Sequence, residues 1–288
     1  MGDARRTVVV GYDGSPAAEI ALEWAAHEAL RRATGLTLLH TPPLTGPAVW
    51  WGIPLTDGVL QGGQRLLLTA AERLRGRLPQ VRVTLETVVD EPAVALVEAS
   101  RTAAVVVVGA RGRGRITGPL LGSVSQKVSA HAHGPVVVVR GTEPVPGGPV
   151  VVGVDPLDGA PEALTYAFEE AQRRGVGVVA VQAAQEEDVH GLPVGHDDEL
   201  LRATRRRAER VARERVEGWA RRYPDVPATL ELAYAHPIEA LSARAQDAGL
   251  LVVGSRGRGG LAGLLLGSVS RGVLQHAPVV AVVRVGAG

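Results

Sequence analysis

Residues 109–125 read GARGRGRITGPLLGSVS, and residues 254–270 read GSRGRGGLAGLLLGSVS. The two stretches are identical at 12 of 17 positions. Each follows a run of valine or leucine and continues into a helical pattern. Such a repeat, kept in register through a segment that is not of low complexity, indicates that one structural unit occurs twice in the chain.

Further matches extend the repeat on both sides. The sequence VVVGYD at Val8–Asp13 returns as VVVGVD at Val150–Asp155. Between the halves, residues 141–149 read GTEPVPGGP, and this density of proline and glycine is typical of a linker. We predict one domain at residues 1–143 and a second at residues 148–288, each of ordinary size for a domain.

Strand and helix patterns alternate within each half. Several strand-like runs are apolar throughout, which is typical of parallel strands buried on both faces. We predict strands at Thr7–Tyr12, Leu36–His40, Val81–Val89, Ala103–Gly109, Pro135–Val139, Val150–Val154, Val178–Gln182, Ala228–Ala235, Leu250–Gly254 and Val279–Val283. We predict helices at Pro16–Ala33, Gln61–Leu78, Pro92–Thr102, Ser123–His131 and Asp198–Arg222, among others. This alternation predicts an α/β fold with a doubly wound, Rossmann-like parallel sheet of five strands in each domain.

Composition excludes several classes of protein. The chain has 31 basic and 30 acidic residues, and this balance argues against binding nucleic acid through overall charge. The Arg-Gly-Arg-Gly stretch is too short to change that expectation. The chain has no cysteine, so disulfides and thiolate catalysis are excluded. Without an apolar run of ~20 residues or a signal-peptide core, we expect a cytoplasmic protein with no membrane partner.

Two loops in each half are candidates for a binding site. In open parallel sheets, ligands bind beyond the carboxyl ends of the strands, at the point where the strand order reverses. In the first half, Asp13-Gly14-Ser15 follows the first strand, and the loop from Gly109 to Ser123 follows the fourth. Side chains and backbone from both loops are therefore expected to meet at one edge of the sheet.

The loop after the fourth strand has the chemistry of an anion site. Gly109 and Gly112 are predicted to allow a tight turn, with backbone dihedrals that other residues resist, and a close approach to a ligand. Gly122-Ser123 opens the next helix, whose free N–H groups and positive dipole end favour an anion. A simpler interpretation is that the glycines only turn the chain and Ser123 only caps the helix. The spacing Gly-x2-Gly-x9-Gly-Ser, present in both halves, argues against it. Added charge would come from Arg111, Arg113 and Arg115, and the second loop has Arg256 and Arg258.

This pattern, with an Asp at the end of the first strand and Leu-Leu-His at the end of the second, resembles the ATP-binding universal stress proteins. The resemblance covers nearly the whole chain, twice, and implies a strand order of 3-2-1-4-5. It implies that Asp13 and the backbone around Thr41 hold the adenine, and that the glycine loop lines the ribose and phosphates. By position it implies cofactor-binding roles for Asp13, Gly14, Ser15, Thr41, Gly109, Arg111, Gly112, Gly122, Ser123, Val124, Ser125, Asp155, Ala183, Gly254, Arg256, Gly257, Gly267, Ser268, Val269 and Ser270. Residues 88–92 and 235–237 resemble the family's loop after the third strand.

The second half departs from the pattern after its first strand. Asp155 is followed by Pro156-Leu157, where the first half has Gly14-Ser15. Pro156 removes a backbone donor and restricts the loop, and the segment from Asp158 to Pro161 is a candidate start for the following helix. We expect the second domain to bind nucleotide with a different affinity.

Three functions are compatible with these loops. A phosphotransferase needs a carboxylate for Mg²⁺ and a residue that orients the nucleophile, yet the motif loops contain no second carboxylate beside Asp13 and no Walker lysine. His40 ends a strand and is expected in the core, while His131 and His133 do not share a helix face. The leading hypothesis is therefore a regulatory stress-response module that binds ATP, with or without Mg²⁺, and is not an efficient enzyme. A slow ATPase or adenylate-transferring enzyme is the alternative, and a structural protein with vestigial sites is the third.

Partners are indicated by one insertion and by the resemblance. Residues 42–56 contain Trp50-Trp51, and neighbouring tryptophans on a strand cannot both face one core, so local packing and a contact with a ligand or another chain both stay open. The resemblance implies pairing through the fifth strand. We expect the two domains to pair within the chain and the whole chain to form a homodimer.

Overall fold

The fold was analysed on a computed structural model that describes residues 7–42, 57–112, 121–140, 145, 147–155, 161–183, 199–255 and 266–284. Contacts divide the chain into two compact units, Met1–Glu143 and Pro144–Gly288. Each unit alternates strands and helices, as the sequence predicts for an α/β fold.

The first unit contains a parallel sheet of five strands. The strands are β1 (Val8–Gly11), β2 (Leu36–His40), β3 (Val83–Thr87), β4 (Val105–Gly109) and β5 (Val136–Val139). Their order in the sheet is β3-β2-β1-β4-β5, so the strand order reverses between β1 and β4. The helices are α1 (Pro16–Arg31), α2 (Asp57–Arg77), α3 (Pro92–Ala99) and α4 (Ser123–His131).

The second unit repeats this topology with the order β8-β7-β6-β9-β10. Its strands are β6 (Val150–Gly153), β7 (Val178–Ala183), β8 (Ala228–Ala233), β9 (Leu250–Gly254) and β10 (Val279–Val283). Its helices are α5 (Glu162–Arg174), α6 (Glu199–Arg222), α7 (Pro237–Arg244), a short 3₁₀ turn at Ala245–Asp247 and α8 (Ser268–His276).

The apolar runs form the core, as expected of strands that are apolar along their whole length. The four valines at Val105–Val108 are buried, because helices cover both faces of the inner strand β4. The four valines of β5, Val136–Val139, are also buried. The outer strand β3 instead alternates exposed and half-buried residues. Of the helices in the described ranges, none combines the length and apolar composition that a membrane span requires.

Most predicted elements are confirmed, several to the residue, including Leu36–His40 and Ser123–His131. The second helix was predicted to begin at Gln61 and begins at Asp57 instead. Glycines near its start weaken the helical pattern, but one of them has a packing role. A Cβ on Gly63 would lie 2.8 Å from Cδ2 of His40, so the missing side chain lets α2 approach the end of β2. The predicted insertion with Trp50-Trp51 lies outside the described residues.

Candidate functional site

The first and fourth strands of each unit are neighbours, and their carboxyl ends carry the two candidate loops. In the first unit β1 pairs with β4 in parallel, with Val10 opposite Val107. Asp13 follows β1 and Ala110-Arg111-Gly112 follows β4, so both loops leave the sheet at the same edge. This is the point where the strand order reverses.

The loop after β1 is held by its own polar groups. The backbone N–H of Ser15 donates to Oδ1 of Asp13 at 2.9 Å. Oγ of Ser15 in turn accepts from the N–H of Ala18 at 3.2 Å and caps α1. Gly14 has a φ of 76°, a left-handed conformation that favours glycine. Of the predicted site residues in this loop, Gly14 therefore shapes the turn, and Ser15 is buried as the helix cap.

The glycines after β4 have a different physical role from the predicted one. Neither Gly109 nor Gly112 has a positive φ, so the expectation of unusual dihedrals is wrong at these positions. A Cβ on Gly109 would lie 2.8 Å from the carbonyl carbon and oxygen of Ala17, so this glycine lets α1 pack against β4. A Cβ on Gly112 would lie 2.7 Å from Oδ2 of Asp13. The two loops are thus in close contact through Gly112 and Asp13.

The segment that opens α4 is tied back to the loop. The N–H of Gly122 donates to the carbonyl oxygen of Ala110 at 2.8 Å. The hydroxyl of Ser125 lies 3.0 Å from that oxygen and 3.0 Å from the oxygen of Gly122. Ser125 is buried, so this predicted site residue holds the loop from behind.

The first turn of α4 presents its backbone without a side-chain cap. The N-cap residue is Gly122, which has no side chain to occupy the first N–H groups. Ser123 is the first helical residue and is exposed, which excludes the simpler interpretation that Ser123 is the cap. Val124 follows, half-buried. Together these residues offer an anion the backbone N–H groups of the first turn, the exposed hydroxyl of Ser123 and the positive end of the helix dipole.

Positive charge gathers at the same edge of the sheet. Arg111 follows β4, and Arg140 follows the neighbouring strand β5. Burial, and then the charge of Arg111, lower the pKa of the Arg140 guanidinium. A bound anion beside these two like charges would be stabilised by both. Sequence analysis missed Arg140, although an arginine follows the fifth strand in both halves, at Arg140 and at Arg284.

The predicted adenine side of the site adjoins β2. Thr41 follows β2 directly and is half-buried. The preceding residue, His40, is buried, and its Nδ1 lies 2.8 Å from the carbonyl oxygen of Tyr12, so its predicted place in the core is confirmed. The N–H of Tyr12 donates to the carbonyl oxygen of Leu39 at 2.9 Å. These bonds place the start of the Asp13 loop beside the end of β2.

The second unit reproduces the loop after the fourth strand. The N–H of Gly267 donates to the carbonyl oxygen of Ser255 at 2.8 Å, as Gly122 does to Ala110. Gly267 is the N-cap of α8 and likewise has no side-chain cap. Ser268 and Val269 begin that helix, and the buried hydroxyl of Ser270 donates to the carbonyl oxygen of Gly254 at 2.6 Å. Arg256 and Gly257, like Arg113, Arg115 and Arg258, lie outside the described residues.

The loop after the first strand differs in the second unit. The helix α5 begins at Glu162 with Pro161 as its N-cap, so it starts at the end of the predicted segment from Asp158 to Pro161. Asp155 is half-buried, and its carbonyl oxygen accepts from Nη1 of Arg215 at 2.8 Å. Ala183, the counterpart of Thr41, is the last residue of β7. Pro156 itself lies outside the described residues.

A polar cluster beside the first site was not predicted. The hydroxyl of the buried residue Tyr12 donates to Glu19 on α1, and Nη2 of Arg73 on α2 donates to that hydroxyl at 3.0 Å. Arg73 also pairs with Glu19 at 2.5 Å. We call these three residues the Tyr12 cluster. Burial, and then the hydrogen bond to Glu19, raise the pKa of Tyr12 from 10.0 to about 12. Sequence separation hid the cluster, because Arg73 is far from the other two members along the chain.

Known proteins resemble the chain over nearly its full length. A sequence model described as "Universal stress protein family" matches residues 4–140 and again residues 148–284. A universal stress protein of Mycobacterium tuberculosis is 40% identical over 289 residues, which cover 96% of this chain and 95% of the relative. A second protein with that description from the same organism is 38% identical over 291 residues, which cover 96% of each chain. The crystal structure of a universal stress protein from Archaeoglobus fulgidus superposes with a TM-score of 0.68 at 21% identity, over 98% of this chain and 97% of that one, and this likeness concerns the fold.

Proposed function

The chain belongs to the universal stress protein family, and on that premise we propose that it binds ATP at the loop after the fourth strand of each domain and acts as a nucleotide-responsive regulatory module. The observation that carries the proposal is the pair of glycine-capped helix starts, at Gly122 and Gly267. Each lies at the carboxyl edge of its sheet, and each is bonded back to the loop in the same way. Two such loops in one chain favour two nucleotide sites.

The phosphates would be held mainly by backbone groups. The N–H groups at the start of α4 and the helix dipole favour an anion, and Ser123 adds an exposed hydroxyl. Arg111 and Arg140 would add positive charge from neighbouring strands. Backbone donors and guanidinium groups bind phosphate oxygens without the base that hydrolysis would need. This arrangement therefore favours binding over turnover.

The base and ribose would lie on the other side of the switch point. Asp13 has one carboxylate oxygen bonded to Ser15, and the other faces Gly112. A carboxylate fixed in this way is a suitable acceptor for an adenine amino group or a ribose hydroxyl. Thr41 follows the neighbouring strand β2 and would contribute backbone groups near the base. If Mg²⁺ accompanies the nucleotide, Asp13 is the residue of this loop that would contact it.

Calorimetric titration with ATP tests the proposal. Wild type should bind two equivalents, and Gly122→Val and Gly267→Val should each lose one. A side chain at position 122 would meet the carbonyl oxygen of Ala110 at 3.2 Å and would block the approach of phosphate to the backbone. Gly62→Val is the matched control, because a Cβ on that helical glycine has no neighbour within 4 Å. A wild type that binds no ATP, and carries no nucleotide through purification, would contradict the proposal.

Turnover and assembly are separate parts of the proposal. We expect no more than slow release of phosphate from ATP, which a coupled phosphate assay on the same samples measures. We also expect a cytoplasmic homodimer, and sedimentation equilibrium with and without ATP would determine the mass. A monomer under both conditions would contradict the expected homodimer. It would not bear on the nucleotide sites.

A further inference from the structure

A cavity of about 360 Å³ lies in the second domain, between the start of α5 and the last turns of α6. Its lining residues are Pro161, Glu214, Arg215, Gly218, Trp219 and Arg222. The volume falls in the range of small-molecule sites, which starts at roughly 300 Å³. Of the described residues between Gly254 and Gly267, none is among those that line the cavity.

The cavity occupies the position that the Tyr12 cluster fills in the first domain. The helices α2 and α6 end at Arg77 and Arg222, and one turn earlier Arg73 corresponds to Gly218. The other two cluster members also have apolar counterparts. Glu19 corresponds to Pro161, just ahead of the matching Ala-Leu pairs, and Tyr12 corresponds to Val154, just ahead of the matching aspartates.

All three polar members are therefore replaced together in the second domain. The loss of the carboxylate and the guanidinium leaves space at Pro161 and Gly218, which both line the cavity. Arg215 and Trp219, which line the same space, stand where the first domain has the smaller Ala70 and Leu74, so the cavity lies between larger side chains at the position of Gly218. The first domain has an ion-paired cluster between its first two helices, and the second has a space of ligand size.

The walls of the cavity combine an aromatic surface with guanidinium groups. Trp219 packs against Phe168 and Tyr223, with ring centroids 6.4 Å and 6.2 Å away, so its ring is fixed in place. The guanidinium of Arg222 lies 4.6 Å from the centre of the Trp219 ring. Arg215, also at the cavity, donates to the carbonyl oxygen of Asp155. A rigid indole next to two arginines suits a ligand that is both flat and negatively charged.

The charge of α6 favours an anion at this place. The helix contains nine arginines and four glutamates. The exposed carboxylate of Glu214, the acidic residue of the cavity, lies 3.9 Å from Nε of Arg210. The surplus of arginine leaves a positive field around the cavity, which attracts anionic ligands.

We propose that this cavity is a binding site for a small aromatic carboxylate, distinct from the nucleotide sites. The ring system lies against Trp219 and Pro161, and the carboxylate pairs with the guanidinium groups at Arg215 and Arg222. Fork-shaped guanidinium groups match the two oxygens of a carboxylate, and the apolar part of the lining contacts the ring. In the described part of the first domain, Arg73 stands at the position of Gly218 and pairs with Glu19 and Tyr12.

The test is calorimetric titration of the full chain with 1-naphthoate, a two-ring carboxylate, and with the neutral 1-naphthalenemethanol. One equivalent of naphthoate should bind, and the alcohol should bind at least tenfold more weakly. Gly218→Leu should weaken naphthoate binding at least tenfold by filling the cavity. The backbone tolerates this change, because the nearest neighbour of a Cβ there is Nη2 of Arg221 at 3.9 Å. Gly76→Leu, at an open helical glycine near the end of α2, should bind naphthoate as wild type does.

Several results would overturn the proposal. These are no binding of naphthoate at millimolar concentration, equal binding of the alcohol, or binding that Gly218→Leu leaves unchanged. Competition with ATP separates this site from the nucleotide sites. Saturating ATP should leave the naphthoate stoichiometry at one, and displacement by ATP would assign the cavity to a nucleotide site instead. This outcome does not depend on whether the Gly122 and Gly267 variants lose ATP.

Discussion

The two domains agree closely at the loop after the fourth strand and differ most where the first strand ends. In both, a backbone N–H of the N-cap glycine donates at 2.8 Å to the residue that follows the fourth strand, and a buried serine hydroxyl bonds to the loop. Beside the first strand, one domain has the Tyr12 cluster and the other has a cavity. The shared part is built from backbone bonds and glycines, while the differing part is built from side chains.

This contrast shows which features tolerate change. A loop that is fixed by backbone hydrogen bonds and by glycines tolerates few substitutions. A cluster of side chains on the helix surface can be replaced if all of its members change together. A second pair of positions shows the same coupling. Ala93 and Lys127 in the first domain correspond to Ile238 and Gly272 in the second, so a large side chain on one helix faces a small one on the other. Lys127 pairs with Glu91, whose counterpart is His236, the N-cap of α7.

The largest effect is expected at a feature that the domains share. Glu28 has a fully buried side chain bonded to Arg32 at 2.6 Å and to Arg31 at 3.0 Å. We expect Glu28→Gln to lower the free energy of unfolding of the first domain by about 3 kcal/mol, because the arginines lose a buried partner. Urea denaturation followed by circular dichroism measures the loss.

The second domain offers the matched experiment. Glu170 is also fully buried and bonded to two arginines, so Glu170→Gln should cost its own domain the same amount within about 1 kcal/mol. Glu98→Gln, at an exposed ion pair with Arg101, is the control and should cost less than about 0.5 kcal/mol. Unequal losses at Glu28 and Glu170 would show that the two clusters are not equivalent.

The coupled pair on the third and fourth helices should show the next largest effect. A Cβ on Gly272 would lie 2.2 Å from Cδ1 of Ile238, so Gly272→Lys should destabilise the second domain by about 2 kcal/mol through overpacking. Adding Ile238→Ala recreates the first domain's combination and should recover at least half of that loss. A double-mutant cycle by urea denaturation measures the coupling, and purely additive effects would contradict the proposed exchange of volume.

Removing Arg73 from the Tyr12 cluster should have a moderate effect on the stability of the first domain. Arg73 bonds to both Tyr12 and Glu19 but is about half exposed. Arg73→Ala should therefore lower the free energy of unfolding by about 1 kcal/mol, since solvent screens part of the interaction. Arg75→Ala, an exposed position on the same helix, serves as the control and should change stability by less than about 0.5 kcal/mol. Equal effects of the two substitutions would show that the Tyr12 cluster does not stabilise the first domain.

The smallest expected effect concerns alkaline pH. The pKa of Tyr12 is raised to about 12 in the folded domain, above the 10.0 of an unperturbed phenol. The stabilisation is complete below pH 10 and is lost as pH rises toward 12, because the unfolded chain releases this proton first. From pH 9 to pH 10.5 the free energy of unfolding should fall by about 0.8 kcal/mol more in wild type than in Tyr12→Phe.

Absorbance at 295 nm checks the same point directly. The difference between the wild-type and Tyr12→Phe titrations should contain a phenolate step near pH 12. A step near pH 10 would show that the hydroxyl of Tyr12 is not protected by Glu19 and burial. The second domain has Val154 at this position.

The sequence predicted most of the fold because the determining signals are local. Unbroken runs such as Val105–Val108 mark buried parallel strands, and their alternation with amphipathic segments predicts a doubly wound sheet. The repeat fixed the position of the loop after the fourth strand in both halves. The helix starts at Gly122 and Gly267 were likewise predictable from the sequence, because a glycine followed by Ser-Val-Ser marks a local helix boundary.

Other features of the candidate site depend on contacts between distant parts of the chain. Gly109 was predicted to supply an unusual dihedral, yet its function is to let Ala17 approach β4. The Tyr12 cluster joins the residue that follows β1 with residues of two helices. The cavity is lined by Pro161 and Gly218, the counterparts of Glu19 and Arg73, which are far apart in sequence and come together only in the folded domain.

Sequence alone determined the duplication, the fold class, the family and the loops that carry the glycine motif, since hydrophobic periodicity and motif spacing act over short stretches of chain. The tertiary structure decided which glycines are needed for packing, how the hydroxyl of Ser125 holds the loop, and where the second domain leaves a space open. The physical reason is that close packing and hydrogen bonding depend on the distances between side chains from different elements. Those distances are fixed only when the helices pack against the sheet.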